Sequence, residues 1–407
     1  MKKTQLSLDT ARRIILKCQL LHFDSELFPG KEGVIQAIEK LGYVQIDTIA
    51  VIERAHHHTL WTRRPDFEPA MLDELMATDR RIFEYWGHGM SYLPVSDYRF
   101  YLPRMRSFYN PRGKWEKDRI EKFGYMLQPV LERVRQEGAL SSSDFAIPDD
   151  RKRGTWWDWR PAKAALEILF WRGELMITRR RNFQRFYDLT ERVLPPAVDL
   201  RFPDEQELGH FFVRRALSAL GVAQEKAILN HIHAAGKDCI ANALCALMES
   251  GEVLRVQIGS DREIDYYALP AAVETADQLH ASDSTVHLLC PFDNLIIHRQ
   301  RLSRLFEFEY ALECYLPPAK RKFGYFTLPI LWKENLIGRL DPKAHRQTKT
   351  LIIRNLAFEP QFNEFDEFIP AFVNKLKLFA RFNRCDEVEF EKIEPKHLKH
   401  KLEKNLR

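Results

Sequence analysis

Gly42-Tyr43-Val44-Gln45-Ile46-Asp47-Thr48-Ile49 is an apolar run that carries one amide and one carboxylate, two positions apart. In an extended segment residues i and i+2 point the same way. Gln45 and Asp47 would then share a face, with Val44 and Ile46 on the other. A carboxylate among apolar neighbours is costly to bury unless it is paired or hydrogen-bonded. Two readings fit the pattern. Asp47 is a catalytic carboxylate oriented by the Gln45 amide, or it is the N-cap of a helix opening at Ile49, Ala50 and Val51. Spacing alone leaves both open.

Working outward, Val34, Ile35, Ile38 and Leu41 predict a helix over Lys31 to Leu41, stopped by Gly42. Ala11, Ile14, Ile15, Cys18 and Leu21 predict another over 7–21, capped by Ser7 or Asp9. Downstream, Val51 to Leu60 looks helical and carries Arg54, His56, His57 and His58. Helix, helix, short extended segment, helix is compatible with a winged-helix or helix-turn-helix unit. A further helix holds Met71, Leu72, Leu75 and Met76. It leads to Phe83-Glu84-Tyr85-Trp86-Gly87-His88-Gly89, where two glycines allow a close-approach loop around His88.

A chain of 407 residues suggests two to four domains. Hydrophobic content of 45% and charged content of 29% are ordinary for a soluble globular protein. The six cysteines are scattered without a CxxC pair, which argues against a structural zinc site or a disulfide scaffold. There is no signal-peptide core at the N-terminus and no long apolar run. A cytoplasmic protein without a membrane partner is expected. A net charge of +5 does not itself demand an anionic partner, so the distribution of charge matters more.

That distribution is uneven. Residues 151–192 carry eleven Lys/Arg against five Asp/Glu. A helix is expected over 115–136, a new unit from Ser141, and a helix over Pro161 to Phe170. Glu174 to Thr178 reads as a strand, and Arg179-Arg180-Arg181-Asn182-Phe183-Gln184-Arg185 as a hairpin turn. A helix feeding a basic hairpin looks like a wing that attracts phosphate, or equally a solvated surface hairpin. Helices over 205–220, 222–233 and 240–249, then strands over 251–258 and 266–269, repeat the layout. From 284 short runs suggest a small β domain: Val286 to Leu289, Leu295 to Ile297, Phe323 to Leu328, Leu336 to Leu340 and Thr350 to Leu356. A last helix is expected over 364–383, and after Asp386 a charged tail that is a solvated helix or a frayed end.

These residues together resemble the winged-helix DNA glycosylases that unhook interstrand crosslinks, the AlkZ-like and YcaQ-like family. The resemblance rests on Gly42 to Asp47 with Arg54, His56 and His57, on Glu84 to His88 with Leu93-Pro94, and on Gly173-Glu174-Leu175 leading to Tyr187 to Val193. It continues through Pro291-Phe292-Asp293-Asn294-Leu295, Tyr325, Leu328-Pro329 and Gly338 to Lys343. It covers about residues 5–375. It implies an α+β, mainly α fold: tandem winged helices forming a C-shaped DNA channel, with a small C-terminal β-barrel-like domain. The expected sections are 1–112, 113–200, 201–280, 281–375 and a tail over 376–407. The family signature is Gln, an apolar residue, then Gln or Asp. Gln45-Ile46-Asp47 has the Gln-x-Asp form, so Gln45 and Asp47 are implied as the catalytic pair. Gly89 and Met90 depart from the small residues expected after His88.

The implied activity is hydrolysis of the N-glycosidic bond of N7-alkylated purines and unhooking of crosslinks through them. Such a base already carries positive charge, so its departure needs little acid help. One carboxylate to stabilise the sugar cation and hold water suffices. No lysine neighbours the pair in sequence, so a monofunctional enzyme without cofactor or metal is expected. The partner is double-stranded DNA with alkylated or crosslinked purines. A nucleoid-associated monomer would suffice. Arg54, His56, His57, His88, Arg179, Arg180, Arg181 and Arg185 are the candidate DNA contacts. Adjacent histidines at 56–58 point about 100° apart on a helix and make a poor metal site. The rivals are a winged-helix regulator without chemistry and, third, a metal nuclease.

Overall fold

The computed structural model describes residues 4–22, 27–145, 161–259, 263–279 and 284–406. The basic residues expected over 151–160 and the turn at 260–262 lie outside them. The first strand, β1 (Thr4–Leu6), pairs in parallel with a strand far along the chain, Thr4 opposite Val256 and Leu6 opposite Ile258. Helix α1 (Leu8–Cys18) starts at Ser7, whose hydroxyl accepts the Thr10 N–H at 3.0 Å. Its apolar face packs against Val256, Tyr266, Leu295, Leu302 and Phe308. The expected first section therefore loses its first helix to a core shared with later parts of the chain.

Helix α2 (Gly30–Leu41) ends at Gly42, which takes φ 78° and donates its N–H to the Ile38 carbonyl. That left-handed turn, cheap only for glycine, directs the chain into β2 (Val44–Gln45). Helix α3 (Ala55–Arg63) begins later than periodicity predicts. The reason lies far away in sequence. The carbonyls of Ala50 and Ile52 accept from Arg346. The Val51 carbonyl accepts from the Ala344 N–H, and the Glu53 N–H goes to Asn383. Those backbone groups are committed elsewhere, so the segment stays open.

Next come α4 (Pro69–Ala77), β3 (Ile82–Trp86) and β4 (Met90–Pro94). The three strands form the sheet β2-β4-β3, with Gln45 opposite Ser91. After α5 (Leu102–Ser107), the helix expected over 115–136 is two, α6 (Lys114–Phe123) and α7 (Leu127–Glu137), broken at Gly124 by a short 3₁₀ turn. β5 (Leu140–Ser141) is the first strand, in chain order, of the next sheet. It lies at the edge of a sheet completed, after α8 (Pro161–Trp171), by β6 (Leu175–Arg181) and β7 (Gln184–Leu189). The β6–β7 turn is only Asn182-Phe183, both with positive φ. That two-residue geometry suits the twist of the strands. Arg179, Arg180 and Arg181 thus sit on a strand and alternate between faces, where a broad turn was expected.

The short α9 (Thr190–Val193) leads to α10 (Glu205–Leu220), β8 (Val222–Ala223), α11 (Glu225–His231), α12 (Lys237–Glu249), β9 (Leu254–Ile258), β10 (Tyr266–Ala268) and α13 (Pro270–Glu274). Their sheet has the order β1-β9-β10-β8. The last unit holds β11 (Val286–Leu288), α14 (Arg299–Phe306), β12 (Leu328–Trp332), β13 (Asn335–His345), β14 (Thr350–Phe358) and α15 (Phe365–Phe382). It ends in β15 (Glu387–Phe390), β16 (Ile393–Glu394) and α16 (Leu398–Leu406). The sheet β11-β12-β13-β14-β15, with β16 beside β14, is a half-barrel. Residues 295–297 form a turn, and the strand expected over 323–328 begins only at Leu328. The tail is not frayed: β15 and β16 pair with β14, and Leu398 and Leu402 are buried.

The architecture is a mixed α+β fold with three apolar cores that cut across the expected sections. One joins α2, α3 and α4 to the half-barrel and to Phe368, Phe372 and Phe379 of α15. The second joins β3, α8 and α10, and the third is that of α1. Among the described residues no helix is long and apolar enough to cross a membrane.

Candidate active site

Gln45 is the last residue of β2. The Ile46 N–H still bonds the Met90 carbonyl at 2.8 Å, and the chain then leaves the sheet. Asp47 turns back on itself, its Oδ1 accepting the Ile49 N–H at 2.7 Å. This is a local turn and not a helix cap, because no helix starts before Ala55. Asp47 is half-buried and has no ion pair with Lys or Arg among the described residues. Burial pushes its carboxyl up; the Ile49 N–H, the Arg54 charge and the Thr48 N–H oppose that rise. The Gln45 amide packs against the β3–β4 turn, and its Oε1 is buried without a protein partner. No hydrogen bond joins Gln45 to Asp47 among the described residues, so the amide is free to hold something else.

The close approach of Gly89 explains the glycine-flanked turn. A Cβ there would lie 3.3 Å from the Gln45 Cδ and Nε2. Alanine demands a shift of a few tenths of an ångström, and a branched side chain demands more. Under the catalytic role that the resemblance implies for Gln45, Gly89→Val is expected to displace the amide and slow base release on the order of tenfold to a hundredfold. Thermal melting should change little. Single-turnover kinetics beside a melting curve check this.

Asp47 lines a cavity of about 420 Å³ with Ile46, Met90, Lys163, Glu167 and Phe183 among its walls. Sequence reading missed Lys163 and Glu167. They are the only polar side chains on α8, one helical turn apart on a single face, and that was the available signal. Burial raises the Glu167 carboxyl, opposed by Arg119, Lys163 and Arg185. Glu167 is also ion-paired with Arg119. The expectation that no lysine neighbours the pair thus holds along the chain but not in space. Among the described residues no group of three or more His, Cys, Asp or Glu is arranged to hold a metal.

The candidate DNA contacts divide. Arg179 and Arg181 are exposed. Arg185 lines the Asp47 cavity. Arg180 faces inward and makes a bidentate bridge of 2.6 Å and 2.6 Å to Glu84, with side chains 7% and 0% exposed. Its charge is spent inside the fold, which corrects its reading as a DNA contact. His56 is also corrected. It is 1% exposed against Tyr92 and Phe183, and burial holds its ring well below the ordinary range, hence neutral. His57 bonds Glu53 at 3.0 Å. His88 donates its Nδ1–H to the Asn230 carbonyl at 2.7 Å, and burial lowers its pKa. It therefore offers an acceptor nitrogen and not a cation for phosphate.

Arg54 lies 3.8 Å from the Phe183 ring centroid, at the tip of the β6–β7 hairpin. It lines a second cavity, of about 520 Å³, with Arg346, Arg384, His57 and Asp73. Arg54, Arg346 and Arg384 have no carboxylate ion pair among the described residues. Phe183 and Arg180 line both cavities. The cavity that holds Asp47 thus adjoins one where Arg54, Arg346 and Arg384 share the lining with Glu53 and Asp73.

A family profile described as "DNA glycosylase AlkZ-like" matches residues 38–382. The chain belongs to the AlkZ-like DNA glycosylase family. Its substrate is therefore DNA, its place is in DNA repair, and its chemistry is that of a glycosylase. In fold it is similar to the Streptomyces sahachiroi DNA glycosylase AlkZ, with a TM-score of 0.64 and 15% identity, covering 96% of this chain and 100% of that one.

Other buried polar residues of this AlkZ-like chain are tied to the backbone around them. Asp293 pairs with Arg63 at 2.6 Å and 3.0 Å, both side chains fully buried. The next residue, Asn294, donates to the Tyr43 carbonyl at 3.2 Å and pins the start of the Gln45 strand. Asp341 accepts the Tyr325 and Phe326 N–H groups.

Proposed function

We propose that this chain is a monofunctional DNA glycosylase that excises N7-alkylated purines and unhooks interstrand crosslinks joined through them, leaving abasic sites. Asp47 and Gln45 are its catalytic pair. The observation that carries this reading is the state of Asp47: a half-buried carboxylate on a cavity wall, held by backbone N–H groups of its own turn and ion-paired to no cation among the described residues. An anion kept unneutralised in a desolvated setting is costly for folding. It is well suited to stabilise a positive sugar.

The cationic purine leaves without protonation, and Asp47 stabilises the developing oxocarbenium ion. It then holds or deprotonates the incoming water, with the unsatisfied Gln45 Oε1 as a second acceptor for that water. A base tied to the opposite strand cannot swing freely into a closed pocket. An open channel reaching a half-exposed Asp47 suits that substrate, and tandem winged helices would form its walls. The arginine-lined cavity, Arg179 and Arg181 supply charge for phosphates.

The test is a duplex with one N7-methylguanine, and a second with a crosslink through guanine N7, each treated with alkali after incubation. Strand cleavage at the lesion is expected from both. Binding without cleavage on either would favour a non-enzymatic DNA-binding role. Borohydride should trap no covalent adduct; a trapped adduct at Lys163 would replace the monofunctional reading with a lyase.

A pH dependence follows. The mechanism needs Asp47 ionised, and its folded pKa lies above that of an ordinary carboxylate. The rate should therefore fall on acidification earlier than for an exposed aspartate. Arg54 favours the charged form, so Arg54→Gln should move this acidic limb to still higher pH. Single-turnover rates across pH 4–8 check the direction, about the range in which perturbed carboxylates titrate; a limb that stays or moves down contradicts it.

A further inference from the structure

Tyr315 is 78% exposed, and Leu316 beside it is 41% exposed. Tyr315 is the most exposed of the large hydrophobic side chains among the described residues, and Leu316 continues its apolar surface. These residues do not sit on a loose loop. The buried Glu313 accepts the N–H groups of Phe323 at 2.9 Å and Gly324 at 3.1 Å, closing the loop at its base. Arg321 donates to the Leu316 carbonyl at 2.9 Å. Pro317 and Pro318 stiffen the stretch between. Lys320, Arg321 and Lys322 follow directly, without a carboxylate ion pair among the described residues. The loop also lies near Asp47: Leu312 at its start packs on the core that holds Val44 and Ile46, and the Asp47 charge adds to the effect of burial in raising the Cys314 thiol.

We propose that Tyr315, backed by Leu316, is a wedge that enters the duplex at the lesion and stacks on a base there. This rests on the glycosylase reading above. An aromatic ring stacks on any base, so it suits an enzyme that must work at many sequences. Apolar wedges between base steps unstack them and widen the groove, and flanking Lys/Arg hold the backbone that the wedge has moved. The triple cation at 320–322 is complementary to that backbone and argues for nucleic acid over a protein partner. Duplex opened here gives Asp47 access to the sugar of a base that remains tied across the helix.

The test uses the full chain and a duplex whose N7-methylguanine carries a 2′-fluoroarabino sugar, which resists base release. The base opposite the lesion is replaced by 2-aminopurine. Wild type should raise its fluorescence several-fold on saturation, as the base loses its stacking. Tyr315→Ala should give no rise, and on the hydrolysable substrate it should release the base about tenfold more slowly. Tyr315→Phe should behave as wild type. So exposed a side chain does not threaten folding. A Tyr315→Ala protein with the wild-type rise and rate overturns the proposal. So does a Tyr315→Phe protein that fails as Tyr315→Ala does, since the ring would then not be what matters. A wild type that opens the duplex but releases no base refutes the glycosylase reading and supports the wedge.

Discussion

Asp47→Asn is expected to slow base release from N7-methylguanine duplex by about a thousandfold, within the range for loss of a group that handles a proton and a developing charge. Asparagine keeps the size and can still accept the Ile49 N–H, so the loop should hold its course. What disappears is the charge. Duplex affinity should persist, because no phosphate contact is lost. Stability should not fall. Burial raises the Asp47 carboxyl, so the folded protein binds a proton more tightly than the unfolded chain. At neutral pH the ionised group therefore opposes folding, and removing it leaves the melting temperature equal or higher. A thermal melt, a filter-binding isotherm and a single-turnover assay on the same protein give all three readouts. A variant that loses activity together with stability would mean that Asp47 is structural.

Asp293→Ala is expected to cause the largest loss of stability, about 3–5 kcal/mol. It strands the Arg63 guanidinium, whose side chain is 0% exposed. Its remaining bonds run to the Gln19 and Thr59 carbonyls and cannot neutralise it. The same substitution removes the acceptor for the Leu295 N–H. Because Asn294 pins Tyr43, disorder there should reach the Gln45 strand and lower activity in the surviving folded fraction. Denaturant titration measures the first effect. The control is Arg63→Met with Asp293→Leu, which removes both charges and should recover much of the loss, since a buried pair is harder to break singly than to replace.

Local pattern was enough for the elements that pack by their own periodicity. Helices such as Gly30–Leu41 and Glu205–Leu220 carry continuous apolar stripes, and Gly42 and Asp204 mark an end and a start. Gln45 and Asp47 stood out because polar groups are conspicuous in an apolar run. Pattern failed where distant residues decide. Residues 51–54 look helical, yet their backbone groups are held by Ala344, Arg346 and Asn383. The tail after Asp386 looks solvated because its outer faces are charged, yet its backbone pairs with β14. A cluster of arginines gave no hint that one of them, Arg180, turns inward to Glu84. Lys163, Glu167 and Arg384 reach the two cavities only by folding, from positions that are unremarkable along the chain.

The clamp on the segment after Asp47 also sets a timetable. Ribosomes add roughly 5–20 residues per second. Some 15–70 s therefore pass between synthesis of Asp47 and emergence of Asn383, at rates of that order. Ala50, Val51 and Ile52 wait for Ala344 and Arg346, and Glu53 waits for Asn383, so until then the set of holders is incomplete. A nascent chain, or one released early by a premature stop codon, carries Asp47 without the partners that hold the segment just after it.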